Sequence, residues 1–259
     1  MRGGVLVREA ELWFTELRVP ERPRGRVLLF PHAGSGPHAL AGLAALLPAD
    51  LEVLGVTLPG REHRFAEAPD ATDLAELLTR VPAALDGLPP LPLVLFGCSV
   101  GALLALHTAA RLGAANCAHL VLAAQVPGDR PRAALRARTE AELLEVFGAA
   151  GDTPAAVLAD ADLRAGLLAR LAADLRLGEA AAADFAALRV DLPITVLGGL
   201  ADPLVDPATL PEWQHHTTAA CRVVTLSGGH FAFGEPRHAP VLRAVLTEAT
   251  DRLPELVPG

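Results

Sequence analysis

Seven short stretches of clustered apolar residues alternate with longer stretches in which apolar residues recur three or four positions apart. The short ones are ELWFTEL (11–17), RVLLF (26–30), EVLGVTL (52–58), LPLVLF (91–96), HLVLAA (119–124), ITVLGG (194–199) and CRVVTL (221–226). The middle members lack a polar face, as strands do when both sides of a parallel sheet are covered. The longer stretches, HALAGLAALL (38–47), TDLAELLTRVPAAL (72–85), GALLALHTAARL (101–112) and APVLRAVLTEATDRL (239–253), have helical spacing. Such alternation predicts a three-layer α/β fold with a mostly parallel sheet flanked by helices.

One region departs from this rhythm. Residues 127–188 carry no strand signal, only Arg-rich and Ala/Leu-rich helical text between HLVLAA and ITVLGG. An insertion there stands above the strand ends, where a lid can cover a site. The plainer alternative is a long crossover of packing helices. There is no internal repeat, and GLPPLPL (87–93) reads as a loop, so residues 1–259 are expected to form a single domain with the insertion inside it.

Composition narrows the function classes. At 51% hydrophobic the chain can bury a core, and with 4% aromatics that core is built from Ala, Leu and Val. A net charge of −8 argues against general nucleic-acid binding. Three cysteines without CxxC pairing suit a reducing compartment. The N-terminal apolar run meets Arg8 and Glu9 too soon for a signal-peptide core, and no stretch reaches the roughly 18 apolar residues of a membrane span. The expectation is a soluble cytoplasmic protein that touches neither membrane nor nucleic acid. Its oligomeric state is left open, a monomer being the simplest reading.

The chemistry centres on Gly97-Cys98-Ser99-Val100-Gly101, between an apolar strand and an Ala/Leu helix. A hydrolytic serine must project its Oγ from a sharp strand-to-helix turn, and flanking glycines let neighbouring backbone approach. With 23 glycines and three serines in 259 residues, composition alone produces G-x-S-x-G about 0.02 times per chain. A base and an orienting carboxylate should follow in the order Asp, then His. His230 lies on the glycine-rich loop after CRVVTL, and Asp202 lies just past ITVLGG. Asp206 competes with Asp202, although Asp206-Pro207 also resembles a helix start. The oxyanion hole needs two backbone donors: Val100, after the nucleophile, and a residue of the loop after RVLLF, for which Ala33 is the candidate. That loop is a weak phosphate-loop match, since no GKS or GKT follows. Cys98 reads as a small packing group, because adjacent side chains on a tight elbow point in different directions.

The strings FPHAGSG (30–36), LPGREHRF (58–65), LFGCSVGALLALHTAARL (95–112), DLRLGEA (174–180), LGGLADPLV (197–205) and LSGGHFAF (226–233) together resemble type II thioesterases. These are the stand-alone α/β-hydrolases that accompany polyketide synthases and nonribosomal peptide synthetases. The resemblance implies hydrolysis of acyl groups from the phosphopantetheine thiol of an acyl or peptidyl carrier protein. It also implies a Ser99–His230–Asp202 triad, oxyanion donors at Ala33 and Val100, a lid at 127–188, and no cofactor or metal. Two positions depart from the family pattern: Cys98 stands where histidine is usual, and Ser35 where the family's HAGG has glycine. Two rival functions stay open: the same acyl-enzyme used for cyclisation or acyl transfer, and a non-catalytic acyl-binding protein on this scaffold. Arg130, Arg132, Arg136 and Arg138 are a candidate docking patch for an acidic carrier, or else a solvated helix face.

Overall fold

The computed structural model describes residues 9–127, 133–151 and 158–253. Seven strands follow the apolar runs: β1 (Phe14–Arg18), β2 (Gly25–Phe30), β3 (Leu51–Val56), β4 (Leu93–Cys98), β5 (Cys117–Ala123), β6 (Ile194–Gly199) and β7 (Cys221–Leu226). They pair in the order β1-β3-β2-β4-β5-β6-β7. β1 is antiparallel to β3, and every other pairing is parallel. With helices on both faces, this is the α/β-hydrolase architecture.

The burial pattern explains why the central strands lack polar alternation. Every residue of β2, β3, β4 and β6 is buried. Within β2, Leu28 and Phe30 enter one apolar layer while Val27 and Leu29 enter the other. The edge strands β1 and β7 remain partly exposed.

The longer helices are α1 (Leu74–Asp86), α2 (Val100–Leu112), α3 (Glu140–Ala150), α4 (Ala161–Ala183) and α5 (Ala239–Asp251). α2 is buried at every residue from Val100 to Ala109, because the sheet covers one side and α4 packs on another. A helix that is apolar all round requires such enclosure. The described part of the insertion is helical: a 3-10 turn Ala133–Arg136, α3, α4 and a 3-10 turn Phe185–Ala187. Local signals start both helices. Thr139 and Glu142 form a reciprocal capping box on α3, and the Asp160 carboxylate accepts the Asp162 and Leu163 N–H groups of α4.

Two predicted elements differ from the structure. Residues 11–13 are helical, so the first strand begins only at Phe14; Trp13 is buried, and the Arg64 guanidinium lies 4.7 Å above its ring. The stretch 38–47 is not one helix but a 3-10 turn Pro37–Leu40 and a single α-turn Ala41–Ala44. Pro37 begins the first, and Pro48 follows too soon for a longer helix.

After β2 the chain pairs β3 on one side and then returns to place β4 on the other. The loops after β2 and β4 therefore diverge at their carboxyl ends, and a crevice at that switch point is where open α/β sheets bind ligands.

Candidate active site

Ser99 occupies the turn between β4 and α2 with φ 54° and ψ −121°, a left-sided conformation unusual for any residue but glycine. Its neighbours make the turn possible. A Cβ on Gly97 would strike the Gly101 carbonyl and the Ala102 backbone, and one on Gly101 would strike the carbonyls of Phe30 and Pro31. Gly101 thus lets the first turn of α2 press against the end of β2. Ser99 is also held through its backbone: its N–H donates to the Ala123 carbonyl at 2.9 Å, and its carbonyl accepts from Gln125 Nε2 at 3.0 Å.

The loops after β6 and β7 bring Asp202 and His230 to this turn. His230 Nδ1 lies 2.8 Å from Asp202 Oδ2, and His230 Nε2 lies 3.1 Å from Ser99 Oγ. A carboxylate only accepts, so Nδ1 carries the proton and Nε2 is left to accept the Ser99 hydroxyl proton. Asp202 Oδ1 is held by the Leu204 and Val205 N–H groups at 2.8 and 3.2 Å. Both side chains are buried. Asp206 does something else: its carboxylate caps the Ala208 N–H of the 3-10 segment Pro207–His216.

Ala33 and Val100 stand on the two adjoining backbones, the first in the loop after β2 and the second at the start of α2. Among the described residues neither N–H donates to another protein group. Two uncommitted amides beside a serine, one at a helix N-terminus, suit developing negative charge.

Two groups at the site were not singled out by sequence reasoning. The His32 ring stacks 4.5 Å from Phe231, which in turn meets His230 edge-on at 4.9 Å. Burial, followed by the charges of His230 and Arg61, lowers the His32 pKa to about 4. His32 therefore stays neutral and adds no charge beside His230 at neutral pH. The second group is a buried ion pair. Arg61 Nη1 and Nη2 donate to Asp174 Oδ2 and Oδ1 at 2.7 and 2.8 Å, and the Gly34 N–H donates to Oδ2 at 2.7 Å. A signal for it exists in α4, where Asp174 interrupts the buried stripe Leu168, Leu171, Leu175, Gly178 and Ala181.

Cys98 is fully buried in the apolar layer that also holds Phe96, Val121 and Ala123. Burial raises the Cys117 thiol to about 12 and also raises that of Cys221. Among the described residues there is no cluster of three or more His, Cys, Asp or Glu suited to a metal ion, and no helix long and apolar enough to cross a membrane. Of the four candidate docking arginines, Arg130 and Arg132 lie outside the described residues. Arg136 and Arg138 share the Glu179 carboxylate of α4.

Residues 25–248 match the family model "Thioesterase domain". The AMB antimetabolite synthetase AmbE of Pseudomonas aeruginosa is 35% identical over 219 residues, covering 81% of this chain but 10% of the synthetase. The gramicidin S biosynthesis protein GrsT of Aneurinibacillus migulanus is 28% identical over 240 residues, covering 90% of this chain and 92% of GrsT. Among solved structures, the type II thioesterase BorB from the borrelidin biosynthetic cluster superimposes with a TM-score of 0.75 at 27% identity, over 92% of this chain and 97% of BorB. The RedJ thioesterase from the prodiginine pathway of Streptomyces coelicolor does so with 0.75 at 28% identity, over 89% and 92%.

Proposed function

The chain belongs to the thioesterase domain family, and from that premise we propose that it hydrolyses carrier-bound acyl thioesters through a Ser99 acyl-enzyme. The observation that carries this reading is the hydrogen-bonded line from Asp202 through His230 to Ser99 on a strained turn. His230 Nε2 takes the hydroxyl proton as Ser99 Oγ bonds to the thioester carbon, and the carbonyl π pair moves to oxygen. The Ala33 and Val100 amides receive that oxyanion. Collapse expels the thiolate, which takes the proton from His230. Water then attacks the acyl-enzyme with His230 as base again, releasing acid and Ser99. Besides that water, the steps draw on side chains and backbone alone.

The carrier-bound substrate rests on the type II thioesterase resemblance and on relatives named for biosynthetic pathways. The insertion as a lid rests on its helices: Phe147 of α3 and Leu171 of α4 lie within 3.4 and 3.6 Å of the position a Gly34 side chain would take. They therefore roof the loop that holds Ala33.

The test is mass spectrometry of acyl-carrier proteins incubated with wild type and Ser99→Ala, beside fluorophosphonate labelling. Wild type should be labelled and should strip the acyl mass from its preferred carrier to give free acid, and Ser99→Ala should do neither. Equal turnover by the two proteins would sink the acyl-enzyme. A lactone, lactam or ester in place of the acid would redirect the reading to cyclisation or acyl transfer.

A further inference from the structure

Arg61 and Asp174 share no hydrogen bond with Ser99 or His230, yet they grip the loop that supplies an oxyanion donor. Four successive peptide groups of that loop, from His32–Ala33 to Ser35–Gly36, are oriented by specific bonds. The His32 carbonyl accepts the Ser35 N–H at 3.2 Å and the Ser35 hydroxyl at 2.7 Å. The Gly34 N–H donates to Asp174 Oδ2 at 2.7 Å, and the Ser35 carbonyl accepts from Arg61 Nη1 at 2.7 Å. In a trans peptide the N–H points opposite the carbonyl. With the His32 carbonyl turned into the Ser35 turn, the Ala33 N–H is therefore turned outward, away from it.

Gly34 has φ +80°, a conformation that glycine adopts without steric cost but does not fix by itself. The partners that hold it come from distant parts of the chain. Arg61 lies on the loop after β3 and Asp174 in the middle of α4, 113 residues further on. Both are almost wholly removed from water, at 6% and 1% exposure. A pair so deeply buried is weak evidence for a gain in stability, since apolar side chains of similar volume are commonly as good. What apolar side chains cannot do is accept the Gly34 N–H and donate to the Ser35 carbonyl at fixed angles.

We propose that the Arg61–Asp174 pair positions the Ala33 amide for the oxyanion, so that the insertion helix α4 governs the chemical step without touching the substrate. The inference rests on the Ser99 reading above. These are positioning residues: their loss leaves ground-state binding intact and removes stabilisation that exists only once the carbonyl oxygen becomes charged.

Two variants test it, assayed on hexanoyl-N-acetylcysteamine. Asp174→Asn keeps the shape but breaks the charge pairing. Arg61→Met/Asp174→Leu replaces the pair by apolar side chains and protects against simple unfolding of the single variant. Both are expected to lose kcat by about 10- to 100-fold, a fraction of the 10²–10³ that follows removal of a whole oxyanion donor, with KM changed less than about threefold. Affinity for a hexylthio trifluoromethyl ketone, which adds to the serine to form an oxyanion, should fall in step with kcat. Affinity for its methyl ketone counterpart should not change. The double variant should unfold near the wild-type temperature and still be slow.

Recovery of wild-type kcat in the double variant would show that the pair only fills space, and would overturn the inference. A parallel loss of affinity for both ketones would overturn it too. Fluorophosphonate labelling of wild type separates the two readings: an unlabelled wild type removes the Ser99 reading and this one with it. A labelled wild type with an unimpaired Asp174→Asn removes this one alone.

Discussion

Asp202 and Asp206 present the same carboxylate on the same loop, and their surroundings assign them different work. Asp202 is buried, with one oxygen on His230 and the other on two backbone amides, while Asp206 is an exposed helix cap. Asp202→Asn leaves the geometry in place but lets the amide favour the wrong imidazole tautomer, so kcat should fall on the order of 10⁴-fold. Asp206→Asn should leave kcat within about twofold and cost at most about 1 kcal/mol in urea unfolding. Equal kinetic losses at both positions would contradict the assignment. At this scale the sequence was legible where chemistry is local. Gly97-Cys98-Ser99-Val100-Gly101 is one contiguous turn, and Asp202 and His230 each sit just past a strand. Arg61–Asp174 and the neutral state of His32 were not legible, because each depends on groups that only the folded sheet brings together.

At the scale of elements, the contact between the start of α2 and the end of β2 is the joint on which the site depends. Gly101 is what permits it, since any Cβ there meets the Phe30 and Pro31 carbonyls. Gly101→Ala must push α2 outward, separating the Val100 and Ala33 amides. We expect a loss of roughly 1–3 kcal/mol by thermal or urea unfolding, the usual range for overpacking. Fluorophosphonate labelling should slow by more than tenfold, about 1.4 kcal/mol or more in the barrier. Gly113→Ala offers a control for substitution strain. Unlike Gly101 it has positive φ, 72°, and nothing lies within 4 Å of its missing side chain, so it should lose stability through backbone strain alone and keep its labelling rate. The central strands were readable because burial on both faces removes every polar position, a signal that survives without tertiary knowledge. Residues 11–13 were not, since a short apolar run fits either period; in the fold they are helical, with Trp13 buried beneath Arg64. The stretch 38–47 misled for the opposite reason: Ala/Leu spacing outweighed Pro37 and Pro48 on paper, whereas in the chain they confine it to short turns.

For the whole molecule, the buried imidazoles set how the fold responds to acid. His119 on β5 is 2% exposed, and its Nε2 meets Thr195 Oγ1 at 2.9 Å. Its Nδ1 has no hydrogen-bond partner among the described residues, so a second N–H there would face no acceptor. Burial lowers its pKa from 6.5 to about 4, and His32 shifts alike for the same main cause. A group that binds its proton more weakly when folded contributes nothing above its unfolded pKa, where both states are neutral. As the pH falls from 6.5 toward 4 the unfolded chain takes up protons that the folded chain refuses, and stability drops across that window. At pH 5 the loss from His119 is about 2 kcal/mol, and His32, with the same shift, adds a comparable loss. Urea unfolding at pH 7 and pH 5 should therefore show a markedly lower midpoint in acid. His119→Gln, which can still meet the Thr195 hydroxyl but takes up no proton, should recover about 2 kcal/mol of that difference while starting from a similar or slightly lower value at pH 7. An unchanged pH dependence in the variant would mean that His119 titrates normally in the fold. The acid response would then have to be sought among the carboxylates.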